Sequence, residues 1–362
     1  MSPPSGDRRA GARLLRARAP LRLGLAGGGS DVSPYCDTFG GAVINATIDR
    51  YATATLEWRS DGKVEFIAAD AGITDIAEAR RPLPTDVGLK LHRGVFNRML
   101  QDYNGGAPIS VTVVTHVESP MGSGLGSSSA LVVALVQLFS HALQAPLGEY
   151  EVAKLAFEIE RVDLALAGGR QDQFAAAFGG FNFLEFGPGE KVVVNPLRIR
   201  SSILWELEES LVLVYTGASR QSSEIISNQM QAIATGGASL EAMHSLKAEA
   251  IAMKEALLFG RVKAMAEILA RGWKAKKATA SAVTNPLVER VFDGAMKAGA
   301  LAGKVSGAGG GGFMMFLVDP KRRSNVISHL SEQSLTVSGA RFTNDGCVSW
   351  EPREDADNRS SV

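Results

Sequence analysis

The chain reads as an α+β protein in two domains. Its 362 residues exceed one typical domain. Strand-like and helix-like stretches follow one another without the regular βαβ alternation of a doubly wound sheet. Near residues 199–209 the character changes from mixed strands and helices to an almost wholly helical run. The expected division is a loose tail over 1–15, a first domain over 16–204, a second over 205–350 and a polar tail over 351–362.

The elements follow in order. Residues 21–25 form a short strand that runs into glycines, and 42–58 carry the β-branched and aromatic residues of strands. Helical periodicity covers 89–101, and a β-rich run covers 109–117. A Gly/Ser loop precedes an apolar helix over 128–141. Residues 149–166 continue as one helix, with Val152, Leu155, Ala156 and Ile159 on its apolar face. Residues 181–186 and 191–194 pair as a hairpin around Gly187-Pro188-Gly189. A strand covers 211–215. Helix runs from 222 to 280 with a turn at Thr235-Gly236-Gly237, and 312–318, 335–342 and 347–350 close the chain as strands.

Composition narrows the function. Thirty-eight basic residues balance thirty-eight acidic ones, which argues against a nucleic-acid or membrane-surface protein but leaves room for a local anion pocket. The two cysteines, Cys36 and Cys347, lack metal-ligand spacing and fit a reducing cytoplasm. The basic start lacks the apolar run of a signal peptide. The apolar stretch 130–143 is too short to span a bilayer.

Three glycine-rich segments and two acids carry the chemistry. In Pro120-Met121-Gly122-Ser123-Gly124-Leu125-Gly126-Ser127-Ser128-Ser129-Ala130, glycines allow close approach to a phosphate, and the following helix points free N–H groups at it. Serine hydroxyls there suit Mg²⁺ carried by a nucleotide. No lysine sits in the loop, so it is not a Walker A motif; its plain alternative is a Gly/Ser turn before a core helix. The second segment runs from Lys304 to Phe313 and holds a G-x-G-x-x-G match at Gly307, Gly309 and Gly312. It enters a strand where a dinucleotide fingerprint opens a helix, which excludes the Rossmann reading. The third, residues 19–31, is a strand ending in Gly27-Gly28-Gly29-Ser30-Asp31. Asp31 suits sugar hydroxyls and Arg22 a phosphate, against a capping Asp31 and a solvated Arg22. Glu160 and Asp172 match the metal-binding carboxylate and the base of phosphoryl transfer, or two solvated acids. Lys274, Lys276 and Lys277 read as a solvated helix face, with a phosphate clamp as the alternative. Arg220 stands in a loop after a strand, and the resemblance described next implies a distal phosphate for it to hold.

Together the three ordered motifs resemble the superfamily of galactokinase, homoserine kinase, mevalonate kinase and phosphomevalonate kinase, across residues 16–350. The resemblance implies a first domain like domain 2 of ribosomal protein S5, a ferredoxin-like second domain, and a site between them using ATP and Mg²⁺. It implies phosphate contacts from Pro120, Gly122, Ser123, Gly124, Leu125, Gly126, Ser127 and Ser128. Metal ligands would be Ser128, with Ser127 the alternative, and Glu160; Asp172 would be the base and Arg22 its phosphate-facing partner. Gly28, Gly29, Ser30, Asp31, Gly309 and Gly310 would line the sugar site. The stretch 169–180 is similar to the heptose 7-phosphate kinases and to the kinase part of bifunctional fucokinases; no fused nucleotidyltransferase stands in these 362 residues. The substrate implied is D-glycero-D-manno-heptose 7-phosphate, giving the 1,7-bisphosphate. Rivals are a C1 kinase for fucose or galactose, and a non-catalytic sugar- or nucleotide-binding regulator. Oligomeric state is not legible.

Overall fold

The computed structural model describes residues 14–80, 82–217 and 222–353. Strands are β1 (Leu15–Ala26), β2 (Gly41–Trp58), β3 (Lys63–Ala68), β4 (Ile73–Glu78), β5 (Val111–Val117), β6 (Phe181–Phe186), β7 (Val192–Pro196), β8 (Leu211–Tyr215), β9 (Ala300–Val305), β10 (Phe313–Val318), β11 (Thr336–Ser338) and β12 (Val348–Trp350). Helices are α1 (Tyr35–Phe39), α2 (Lys90–Tyr103), α3 (Ser127–Leu143), α4 (Glu149–Glu158), α5 (Gln171–Phe178), α6 (Ser201–Ser210), α7 (Ser222–Ala234), α8 (Ala238–Leu258), α9 (Val262–Thr279), α10 (Pro286–Ala298) and α11 (Arg323–Ser331).

An eight-stranded sheet runs β12-β1-β2-β5-β3-β4, with β6 also on β2 and β7 on β6; a four-stranded sheet runs β11-β8-β10-β9. On the edge away from β1, the β2 strand is long enough to serve two partners: Gly41–Ala46 pairs with β6 and Ala52–Trp58 with β5. The strand β1, between β12 and β2, is buried along almost its whole length, as a strand covered on both faces must be. Its cover includes α3, whose Val132–Val136 are all buried, so α3 is apolar all round because it lies inside the protein. The α8–α9 pair joins the halves, α8 packing on β1 and β2 and α9 on β9.

Several expectations are corrected here. The helix expected over 149–166 stops at Glu158 and continues as a π-turn, Ile159–Asp163. The wider turn carries one more residue, so Ile159 and Glu160 both face inward. The long helical run is broken a second time, at Phe259-Gly260-Arg261, where Gly260 takes φ 64°. The division expected after residue 204 falls within α6, and β12 leaves the second half to pair with β1, Arg16 to Trp350. The elements β3, β4, β9, α1, α5, α6, α10 and α11 were not read from the sequence.

Candidate active site

The phosphate-type loop lies between β5 and α3. Gly122, Gly124 and Gly126 have φ 75°, 84° and 76°, a left-handed backbone that other residues adopt only with strain. No side chain caps α3, so its first-turn N–H groups are available to an anion. The loop is not a loose turn. Ser119 Oγ bonds Ser123 Oγ at 2.8 Å, Ser123 Oγ lies 3.2 Å from Ser127 Oγ, and Phe313 N donates to Ser123 O at 2.8 Å. Ser306 Oγ donates to Gly124 O at 2.8 Å, which clasps the second glycine segment across the first. A Cβ on Gly124 would stand 2.3 Å from Ser306 O. Gly124→Ala is therefore expected to lose about 1–3 kcal/mol of stability and to raise the KM for ATP. Thermal unfolding and ATP titration check this; an unchanged KM would disconnect the loop from the nucleotide.

Glu160 is 1% exposed. It accepts from Ser128 Oγ at 3.0 Å and from Ser129 Oγ at 2.7 Å, and Gln173 Nε2 donates to the same Oε2 as Ser129. Ser127, by contrast, turns its hydroxyl toward Ser123 and the Pro120 carbonyl. Between the two serines left open by the motif, Ser128 is the one that meets the acid. Hydroxyls with one carboxylate form an all-oxygen donor set, which fits Mg²⁺ held partly by a nucleotide.

Asp172 is the second residue of α5 and faces Arg22 of β1. Arg22 Nε and Nη2 lie 2.7 and 2.6 Å from Asp172 Oδ1, and Nη1 donates to Gly124 O at 2.7 Å. The guanidinium thus ties the acid to the phosphate-type loop. Its side chain is 5% exposed, whereas that of Asp172 is 24% exposed, so the carboxylate retains an open side toward the cleft. Glu160, Asp172, Ser128 and Gly28 line one cleft of about 470 Å³, a volume suited to a small-molecule site.

Other expected contacts are placed differently. Asp31 is 1% exposed and already accepts four hydrogen bonds: from Gly29 N (3.0 Å), Arg170 N (3.0 Å), Gln171 N (3.1 Å) and Gln171 Nε2 (2.9 Å). Asp31 also lines the cleft, and these four bonds fasten the early glycine turn to the start of α5. Ser30 is fully buried, its Oγ 2.8 Å from the Gly27 carbonyl and 2.9 Å from that of Ala42, and it faces away from the cleft. Gly310 spends its N–H on Val283 O and its carbonyl on Asn285 Nδ2, and a Cβ on Gly309 would meet Val283 O at 2.7 Å. The cleft is lined instead by Gly307 and Ala308. Gly29, Gly122, Gly126 and Ser127 do line it, while Ser123 and Leu125 bury their side chains and Pro120 stands outside the lining. Arg220 lies outside the described residues.

Sequence reasoning missed Ser129 and Gln173 at Glu160, and it placed Lys276 on a solvated face. Lys276 is 9% exposed and donates to Gly28 O at 3.1 Å. The signal was present: Trp273, three residues earlier on α9, is buried on the same face.

Comparison with known proteins gives the family. Residues 90–180 match the GHMP kinases N terminal domain and 252–334 the GHMP kinases C terminal domain. A D-glycero-alpha-D-manno-heptose 7-phosphate kinase of Campylobacter jejuni is 44% identical over 93% of this chain and 99% of its own. An L-fucokinase/L-fucose-1-P guanylyltransferase of Bacteroides fragilis is 25% identical, over 89% of this chain and 36% of that protein. The crystal structure of a D-glycero-D-manno-heptose 1-phosphate kinase from Bacteriodes thetaiotaomicron superposes with a TM-score of 0.80 at 43% identity, covering 94% of this chain and 100% of that one. With the clasped glycine loops and the paired acids, these likenesses make the chain a member of the GHMP kinase family, a phosphotransferase that takes its phosphoryl group from ATP.

Proposed function

We propose that this kinase transfers the γ-phosphate of ATP to the anomeric hydroxyl of D-glycero-D-manno-heptose 7-phosphate, giving the 1,7-bisphosphate. The observation that carries this reading is the pairing of Asp172 with Arg22 across one cleft from Ser128 and Glu160. In this reading Asp172 accepts the hydroxyl proton, and Arg22 orients that carboxylate. The first turn of α3 and Gly122–Gly126 cradle the ATP phosphates. Ser128 and Glu160 hold Mg²⁺, which when bound neutralises charge on the β- and γ-phosphates. The heptose-phosphate assignment draws on the likeness to the Campylobacter jejuni enzyme. No helix among the described residues is long and apolar enough to cross a membrane, and we place the enzyme in the cytoplasm, where ATP is supplied.

A coupled ADP-release assay tests the reading against heptose 7-phosphate, heptose 1-phosphate, free heptose, fucose and galactose. The expected result is the highest kcat/KM with heptose 7-phosphate. Equal turnover of free fucose or galactose moves the assignment to those sugars. ATP binding without turnover of any sugar makes the protein a regulator.

A further inference from the structure

Four bases (Arg22, Arg161, Lys276 and Lys304) and four acids (Asp31, Glu160, Asp172 and Glu249) line the cleft and the cavity adjoining it, but they are paired unevenly. Asp172 is paired with Arg22, Glu160 lies 3.8 Å from Arg161, and Asp31 keeps its charge among four neutral donors. Glu249, at the rim of the adjoining cavity, is engaged by Arg271 at 2.7 and 2.8 Å. Two ammonium groups make no ion pair among the described residues. Lys276 lines both spaces and meets only neutral acceptors, Gly28 O at 3.1 Å and Gln229 Oε1 at 3.4 Å. Lys304, on β9, lines the same adjoining cavity and has no hydrogen-bond or ion-pair partner among the described residues. Trp273 also lines it, and its buried Nε1 lacks an acceptor. Donors therefore exceed acceptors at one place.

Burying an ammonium group without a counter-charge is costly. Burial pushes Lys276 down to about 8, with Asp31 opposing the shift. Lys304 is pushed down to about 7 by burial, then by the positive charges of Lys276 and Arg22. A bound dianion would offset this penalty and favour the charged form of both groups. Gly29 makes the arrangement possible: a Cβ there would stand 3.0 Å from Lys276 Nζ.

We propose that Lys276 and Lys304 form the subsite for the phosphate that the sugar already carries. This rests on the heptose-phosphate reading above. A phosphate dianion in this cleft has two sources, the sugar's own group and the γ-phosphate of ATP. Lys276 touches the early glycine turn, which the resemblance assigns to the sugar, whereas the ATP-phosphate reading belongs to α3 and its loop. That placement favours the sugar's phosphate. The adduct is one of charge-assisted hydrogen bonds, with no covalent step.

The test uses Lys276→Met and Lys304→Met, which keep the apolar stems and remove the charges. The ratio of kcat/KM for heptose 7-phosphate to that for free heptose is expected to fall by about tenfold to a hundredfold in each. An equal loss on both sugars, or a loss confined to the KM for ATP, overturns the proposal. Inorganic phosphate supplies a measurement that needs no variant. In the wild type it is expected to compete with heptose 7-phosphate; competition with ATP alone overturns the subsite. If the wild type does not turn over phosphorylated heptose at all, the functional reading fails. If it prefers that sugar and both variants keep the preference, only the subsite fails.

Discussion

Replacing Asp172 with Asn is expected to lower kcat by about 10²–10⁴-fold, the usual range for a general base, and to leave the KM for ATP close to its wild-type value. The substitution keeps the shape of the side chain. An amide oxygen can still accept from Arg22, which now bonds Asp172 Oδ1 through Nε and Nη2 at 2.7 and 2.6 Å. Arg22 therefore stays anchored, helped by its 2.7 Å bond to Gly124 O, and the phosphate-type loop keeps its form. What disappears is the negative charge that takes the proton. A loose transition state would place the effect at the lower end of the range, because positioning then carries more of the catalysis. Steady-state kinetics with saturating ATP decide the matter. Turnover within a few-fold of wild type would reduce Asp172 to a structural partner of Arg22.

For Glu160→Gln, the Mg²⁺ concentration giving half-maximal rate is expected to rise by at least about tenfold, the scale of losses seen when groups around a metal are altered. The carboxylate sits among hydroxyl and amide donors from Ser128, Ser129 and Gln173. A glutamine can place its carbonyl oxygen toward Ser129 and Gln173 and turn its amide toward the Ser128 oxygen, so the surroundings need little rearrangement. Only the charge is removed from a site that is 1% exposed, where a charge acts with little screening. Mg²⁺ titrations at fixed ATP, with unfolding temperature measured alongside, separate metal binding from stability. An unchanged Mg²⁺ dependence in a folded variant would assign Glu160 to packing α3 against the π-turn.

What could be read from the chain itself was local. The strand over 42–58, the apolar helix after the Gly/Ser loop, the hairpin of 181–186 with 191–194 and the β8 strand each follow from side-chain period and from glycine or proline punctuation. The order of the glycine motifs was also legible, because backbone approach to phosphate restricts residue type at fixed places, whereas the roles given to Ser128, Glu160, Asp172 and Arg22 came with the family resemblance. The strands β3 and β4 escaped notice because charged residues break up their apolar ones, whereas the equally short β8 is a run of apolar residues.

Tertiary structure decided which side of each residue is used. Asp31 and Ser30 stand in the same motif as Gly28 and Gly29, yet their polar atoms are consumed by neighbours brought from residues 170–171 and 42. Lys276 stands between Lys274 and Lys277 in sequence, but it alone of the three is buried, since α9 turns that face toward Gly28. The single wider turn at Ile159–Asp163 carries Glu160 inward to Ser128. Hydrogen-bond partners come from segments far apart along the chain, and spacing within one segment carries no information about which of them will arrive.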